Sequence, residues 1–250
     1  IMIKLLKKIC GLIGFKLIDK DLIKNERIIS KFSYRNLNEI INKLFSNNLI
    51  NSLIQIGAND GLRFDILNKY IKEYSPKAIL VEPILKNFED LKLNYHNQNN
   101  IFFENSAISV DNEVSFLYKV DEKKIKFYSD HVTGISSFDK THLIKHGISR
   151  FHIKKEKVDS ISFIKLIKKY SINNLDLLMI DAEGYDGKIV IDFLSNCSLR
   201  PVIIFEYIHI KNKLFEKMIN LISLKNYSLF KIDENLVCFP KEKDLLKKLL

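Results

Sequence analysis

Cysteine is scarce in this 250-residue chain: Cys10, Cys197 and Cys238 stand far apart with no CxxC pair among them. That spacing encodes neither a zinc site nor a disulfide framework, and a reducing cytosol is the expected setting. Glycine (8 residues) and proline (4 residues) are also few, which excludes collagen-like, low-complexity and long disordered classes. No charge-free apolar run approaches the ~20 residues that a membrane-spanning helix needs. The apolar stretch near Cys10 to Phe15 follows Lys4, Lys7 and Lys8; it is short for a signal peptide and has no small-residue cleavage site after it. Over Ile1 to Lys24 the pattern predicts a basic helix, either lying on a membrane surface or packed across the sheet.

What is present is a 46% hydrophobic composition, enough to build one sizeable α/β domain. The net charge of +10 favours an anionic partner, although the lysines are spread along the whole chain. Up to about Asn51 the apolar residues follow helical spacing, which predicts a helical extension over 1–50 ahead of a main domain over 51–250. Short apolar runs then alternate with amphipathic helices, the pattern of a doubly wound parallel sheet. Strands are expected at Leu53 to Ile56, Ala78 to Val81, Ile101 to Glu104, Leu175 to Ile180 and Val202 to Tyr207. Helices are expected at Phe64 to Tyr74, Leu85 to Tyr95, Ile161 to Tyr170, Ile189 to Leu194 and Leu214 to Leu224. Val114 to Val120 reads as an inserted strand and Ser129 to His152 as a polar loop carrying His131, His142, His146 and His152. Tyr227 to Ile232 and Leu236 to Phe239 read as a C-terminal antiparallel hairpin.

The chemistry concentrates where strands end. The first strand runs into Gly57-Ala58-Asn59-Asp60-Gly61, whose two glycines let the backbone turn sharply against a ligand. The spacing is not that of a dinucleotide fingerprint and suits a smaller zwitterionic ligand. Glu82, followed by Pro83, ends the second strand about twenty residues later, where a carboxylate can accept both hydroxyls of a ribose. Asp181 and Glu183 follow the most apolar strand, and Glu206 and His209 follow the next, all on the carboxyl edge where open α/β sheets collect ligands.

Gly57-Ala58-Asn59-Asp60-Gly61, Val81-Glu82-Pro83, Ser106-Ala107-Ile108, Asp181-Ala182-Glu183-Gly184 and Arg200-Pro201-Val202-Ile203-Ile204-Phe205-Glu206 resemble the successive signature segments of the FkbM methyltransferases. The likeness spans Leu53 to Pro240. It implies a class I methyltransferase (Rossmann-like) sheet, mainly parallel with the antiparallel hairpin at its end, and S-adenosyl-L-methionine as cofactor. Carried over by position, Gly57, Ala58, Asn59 and Gly61, with Asp60 beside them, would lie against the methionine moiety. Glu82 and Pro83 would meet the ribose, and Asn105, Ser106 and Ala107 would border the adenine. Gly134-Ile135-Ser136-Ser137 resembles a family segment facing the acceptor, which makes Ser136 and Ser137 expected substrate contacts together with Glu206 and His209.

In the division of labour that follows, Asp181 contacts the methionine amine, and Glu183 or His131 takes the acceptor's proton. A metal shared by Asp181, Glu183, Glu206 and His209 is conceivable on donor chemistry, but the expectation is a metal-free site with the loop histidines solvated. The expected reaction is methylation of a hydroxyl on a sugar, glycan or related small molecule, anionic or lipid-linked given the charge. A non-catalytic protein keeping the cofactor fold is the alternative. Nucleic acid is disfavoured as acceptor because Asp181 is followed by Ala-Glu-Gly and not Pro-Pro-Tyr. The expected location is the cytoplasm, with contact to the inner membrane surface through the basic N-terminal helix.

Overall fold

A computed structural model describes residues 20–29, 36–110 and 115–243. The expected strands and most expected helices form. β1 (Ser52–Ile56), β2 (Lys77–Val81) and β3 (Ile101–Glu104) alternate with α3 (Asn68–Tyr74) and α4 (Leu85–Asn94), after α1 (Lys20–Ile28) and α2 (Leu37–Ser46). The second half supplies α7 (Phe163–Lys169), β9 (Leu177–Ile180), α8 (Asp186–Asn196), β10 (Val202–Glu206), α9 (Asn212–Leu224), β11 (Tyr227–Ile232) and β12 (Asn235–Pro240).

Seven strands make one sheet in the order β11-β12-β10-β9-β1-β2-β3. All neighbours from β3 to β10 pair in parallel, whereas β12 runs antiparallel to both β10 and β11. The chain order reverses about β1, so β1 and β9 lie either side of the topological switch point where such sheets bind ligands. Central strands are buried on both faces, which is why they read as continuous apolar runs. Successive residues point to opposite faces. Ile54, Ile79, Leu178, Ile203 and Phe205 pack one way, against Phe163 and Phe193. Leu53, Leu80, Leu177, Val202 and Ile204 pack the other way, with Ile40, Leu44 and Tyr70.

The described N-terminal helices join these cores. In α2, Ile40, Ile41 and Leu44 are wholly buried, and Phe45 stacks on Tyr70 at a centroid distance of 5.1 Å. Beside α9, Asn25 is buried on α1 and donates to the Ile210 carbonyl at 2.8 Å, while Glu26 accepts from Tyr207 and from Lys231. Within residues 20–24 of the expected basic segment, Leu22 packs against the core while Lys20, Ile23 and Lys24 are exposed; Ile1 to Ile18 and Asp19 lie outside the described residues. No described helix is long and apolar enough to cross a membrane.

Two expectations need correction. The helix expected from Phe64 begins only at Asn68, because Phe64 takes a left-handed φ of 61° and the Asp65 carboxylate accepts from the Leu67 amide. Ser129 to His152 is not a loop. It holds α5 (Asp130–Thr133), β6 (Ser136–Ser137) and α6 (Lys140–Lys145), and a strand follows it, β7 (Ile153–Val158). β5 (Ser115–Val120) pairs antiparallel with β6 and β7 in a separate three-stranded sheet. β7 escapes detection because Lys154, Lys155, Glu156 and Lys157 fill its middle; an edge strand with a solvated face tolerates such charge. Two short parallel strands, β4 (Ala107–Ile108) and β8 (Ser160–Ile161), complete the pairing.

Candidate active site

The carboxyl ends of β1, β2 and β9 open into a cleft also lined by Leu117, Gly134, Ser136 and Phe138 from the small sheet and its connections. Its floor starts with the turn after β1. The amides of Gly57 and Ala58 both donate to the Val81 carbonyl, at 2.9 and 3.0 Å, folding the loop back over β2. Gly57 has φ +79°, and a Cβ there would stand 1.9 Å from the Asp181 carbonyl oxygen. Only glycine lets β1 and β9 converge this closely. Gly61 (φ +67°) is needed for a different reason: its Cβ would meet Leu91 and Tyr95 at 2.5 and 2.6 Å, inside the helix packing.

Glu82 is buried beneath the loop. Its two carboxylate oxygens accept from the Asn59 amide at 2.9 Å and the Ile84 amide at 2.8 Å. Burial nevertheless raises its pKa to about 7, with the Asp181 charge adding to the rise. Two buried side-chain oxygens in the same wall, Gln55 Oε1 and Asn59 Oδ1, meet no described donor. Acceptors orphaned in this way call for a ligand that donates hydrogen bonds. Asp181 reaches the cleft from the end of β9, and no described residue donates to its carboxylate. Water reaches it through the cleft mouth, yet protein crowds it on the other sides, so desolvation and the Glu183 charge lift its pKa to about 7.

Further carboxylates gather beside it. Asp186, which sequence reasoning passed over, is fully buried and accepts from the amides of Ala182 at 3.2 Å and Gly184 at 3.1 Å. It ties down the turn in which Glu183 adopts φ 49°. Burial first, then Asp181, pushes its pKa to about 8. Glu206 rises to about 9 for the same two reasons. Glu206 lies 3.6 Å from His209, whose own pKa falls to about 4 through burial and the neighbouring histidines. Both are neutral near pH 7, so this contact is not an ion pair.

The other expected residues divide. Ser106, Ala107 and Pro83 line the cleft, while Asn105 braces the chain by donating to the carbonyls of Glu82 and Pro83 at 2.8 and 3.2 Å. Asp60 turns away and binds Arg63 Nε at 2.5 Å. Ser136 lines the cleft; Ser137 donates its hydroxyl to the Glu183 carbonyl at 2.8 Å. Glu183 also lines the cleft and meets His142 Nε2 through Oε2 at 2.7 Å. The side chain of His131 lies outside the described residues.

The expectation of solvated loop histidines needs correction for His142, which is buried, and for His146, whose ring lies 4.6 Å from it. His142 and His146 stand four residues apart, on one face of a helical turn. That signal was present in the sequence but goes unread once the segment is taken as a loop. Phe64 was missed as a cleft residue for the same kind of reason, since a regular helix there would have placed it differently.

The description "Methyltransferase FkbM domain" matches residues 55–229, well over half of the chain. The chain belongs to the FkbM methyltransferase family. With membership come the class I methyltransferase fold, which the strand order independently displays, and the S-adenosyl-L-methionine cofactor. No curated protein gives a significant match. Among solved structures, the FkbM methyltransferase of Methylobacillus flagellatus KT is similar at 12% identity and a TM-score of 0.46, covering 76% of this chain. This chain spans only 44% of that protein's length. The O-methyltransferase of Bacillus cereus, solved with SAH, is similar at 9% identity and a TM-score of 0.44, covering 93% of this chain and 95% of that one. Family membership rests on the domain match and not on these overlaps.

Proposed function

We propose that this FkbM methyltransferase methylates a hydroxyl of a sugar, glycan or related small molecule, anionic or lipid-linked. The observation that carries the reading is the cleft itself, in which Glu82, Asp181 and Glu183 line one space together with Gly57 and Ser136. S-adenosyl-L-methionine supplies an electrophilic methyl group on a sulfonium centre. Glu82 keeps lone pairs beyond its two backbone bonds and is suited to accept from ribose hydroxyls. Asn59 Oδ1, Gln55 Oε1 and Asp181 offer acceptors for the amine. Ser106 and Ala107 are the expected border of the adenine. A cation entering this group of raised carboxylates stabilises their ionised forms, which makes the site selective for positive charge although the chain is basic overall.

On the acceptor side, Glu183 takes the proton of the incoming hydroxyl as the methyl arrives, with His142 hydrogen-bonded to it. Glu206 and His209 stand near Glu183 but outside the residues lining the cleft, and are proposed as more distant acceptor contacts; the excess of basic residues favours acceptors carrying phosphate or acid groups. The basic N-terminal segment is proposed to bring the enzyme to the inner membrane surface.

Purified protein incubated with methyl-labelled cofactor and fractionated cell glycans, lipids and RNA tests this. Label should enter a glycan or lipid fraction and be lost with Asp181→Asn. Label confined to RNA, or cofactor binding without any transfer, would reject it. Glu183→Gln is expected to lower turnover by about 10²-fold or more and to change cofactor affinity much less, a split read by steady-state kinetics beside calorimetry.

A further inference from the structure

The histidines beside Glu183 form a group that methyl transfer does not require. His142 and His146 come from α6 and its cap, His209 from the turn after β10, and Glu183 from the turn after β9. Their ring centroids lie 4.6 Å (His142 to His146), 4.5 Å (His142 to His209) and 5.1 Å (His146 to His209) apart. One donor atom from each of the four residues falls within 4.8 Å of all the others. We propose that His142, His146, His209 and Glu183 bind a divalent transition-metal ion. The sequence leads to the expectation of a metal-free site; of the donors weighed there, Asp181 and Glu206 are outside this set, and two histidines expected in solvent are inside it.

Three imidazoles and one carboxylate suit zinc, cobalt, manganese or iron, whereas magnesium and calcium prefer oxygen ligands throughout. Ligands about 2.0–2.1 Å from one ion stand roughly 3.3 Å apart, a contraction that small side-chain rotations supply. The pair His142 Nε2 and Glu183 Oε2, now hydrogen-bonded at 2.7 Å, lies inside that spacing, and metal binding would open it slightly and displace the shared proton. The surroundings hold the group in place, since Ser137 fixes the Glu183 carbonyl and Asp186 fixes the Gly184 amide. Such outer contacts orient ligands in metal sites. Glu183 also lines the cleft, so the ion would adjoin the place assigned above to the acceptor. The inference shares that residue with the proposed reaction but is tested without turnover.

Tag-free full-length protein, stripped with a chelator and desalted, is titrated with Co²⁺ and, separately, with Zn²⁺ and Mg²⁺. The expected result is one equivalent of Co²⁺ bound with visible absorption bands of a nitrogen and oxygen site, displaced by Zn²⁺ and not by Mg²⁺. His146→Ala, His146→Gln and His209→Ala should each weaken binding at least about tenfold, with circular dichroism establishing which variants are folded. His152→Ala, in the same segment but outside the cluster, should bind as the parent does. Absence of saturable Co²⁺ and Zn²⁺ binding, or equal binding by the folded variants and the parent, overturns the proposal. Cofactor calorimetry on the stripped protein separates the two readings: metal binding without cofactor binding leaves this inference and removes the proposed reaction, and the reverse does the opposite.

Discussion

Two residues, Glu82 and Gly57, carry most of the proposed cofactor side. Glu82 both faces the cleft and anchors the amides of Asn59 and Ile84, so its removal cannot be purely functional. Glu82→Ala should weaken S-adenosyl-L-methionine binding by about tenfold or more and cost about 1–3 kcal/mol of stability, because two buried donors lose their acceptor. Isothermal calorimetry and denaturant melts measure the two effects; unchanged affinity in a destabilised variant would make Glu82 a loop anchor only. Gly57→Ala places a carbon 1.9 Å from the Asp181 carbonyl at φ +79°. It should destabilise by more than about 2 kcal/mol, since backbone on both sides must move, and thermal unfolding reads this directly.

The proposed acceptor wall depends on elements that pack at the level of tertiary structure. The small sheet β6-β5-β7 brings Ser136 and Ser137 over the carboxyl edge of the main sheet, and α6 brings His142 to Glu183. Beside the turn after β10, α1 is held by the buried Asn25 amide, which donates to the Ile210 carbonyl and accepts from Asn212, and by Glu26 between Tyr207 and Lys231. Asn25→Ala leaves the Ile210 carbonyl without its buried donor and should cost about 1–3 kcal/mol, visible as a lowered midpoint in urea. Little change there would mean that α1 is dispensable to the fold. The elements of the main sheet were legible because buried parallel strands are apolar on both faces. β7 was not, because its charged, half-exposed sequence carries no comparable period, and α6 is too short to show more than the four-residue spacing of His142 and His146.

Across the whole molecule, an acidic interior sits inside a chain of net charge +10. Glu82 and Asp186 have pKa values raised by burial to about 7 and about 8. Their unfolded forms ionise near the ordinary carboxylate range, so the folded state binds the extra protons between those limits. The stability they confer is complete at low pH and is lost as pH climbs through the raised values. His209, depressed to about 4, opposes this only below its ordinary 6.5. The chelator-treated, cofactor-free protein should therefore melt at a falling temperature as pH rises from about 6.5 to about 8, and a flat or rising profile in calorimetry would contradict the buried acid arrangement.

Alternation of apolar strands with amphipathic helices was enough to determine the sheet, and the signature segments from the Gly57 to Gly61 turn to Glu206 carry the resemblance to the family that the domain match then showed. These features are local or strictly periodic, so one chain read in order contains them. Which acids become buried and raised, and how His142 and His146 meet His209 and Glu183, were decided only by folding. Burial and proximity between residues 41 or 67 positions apart are properties of packing, and no spacing along the chain expresses them.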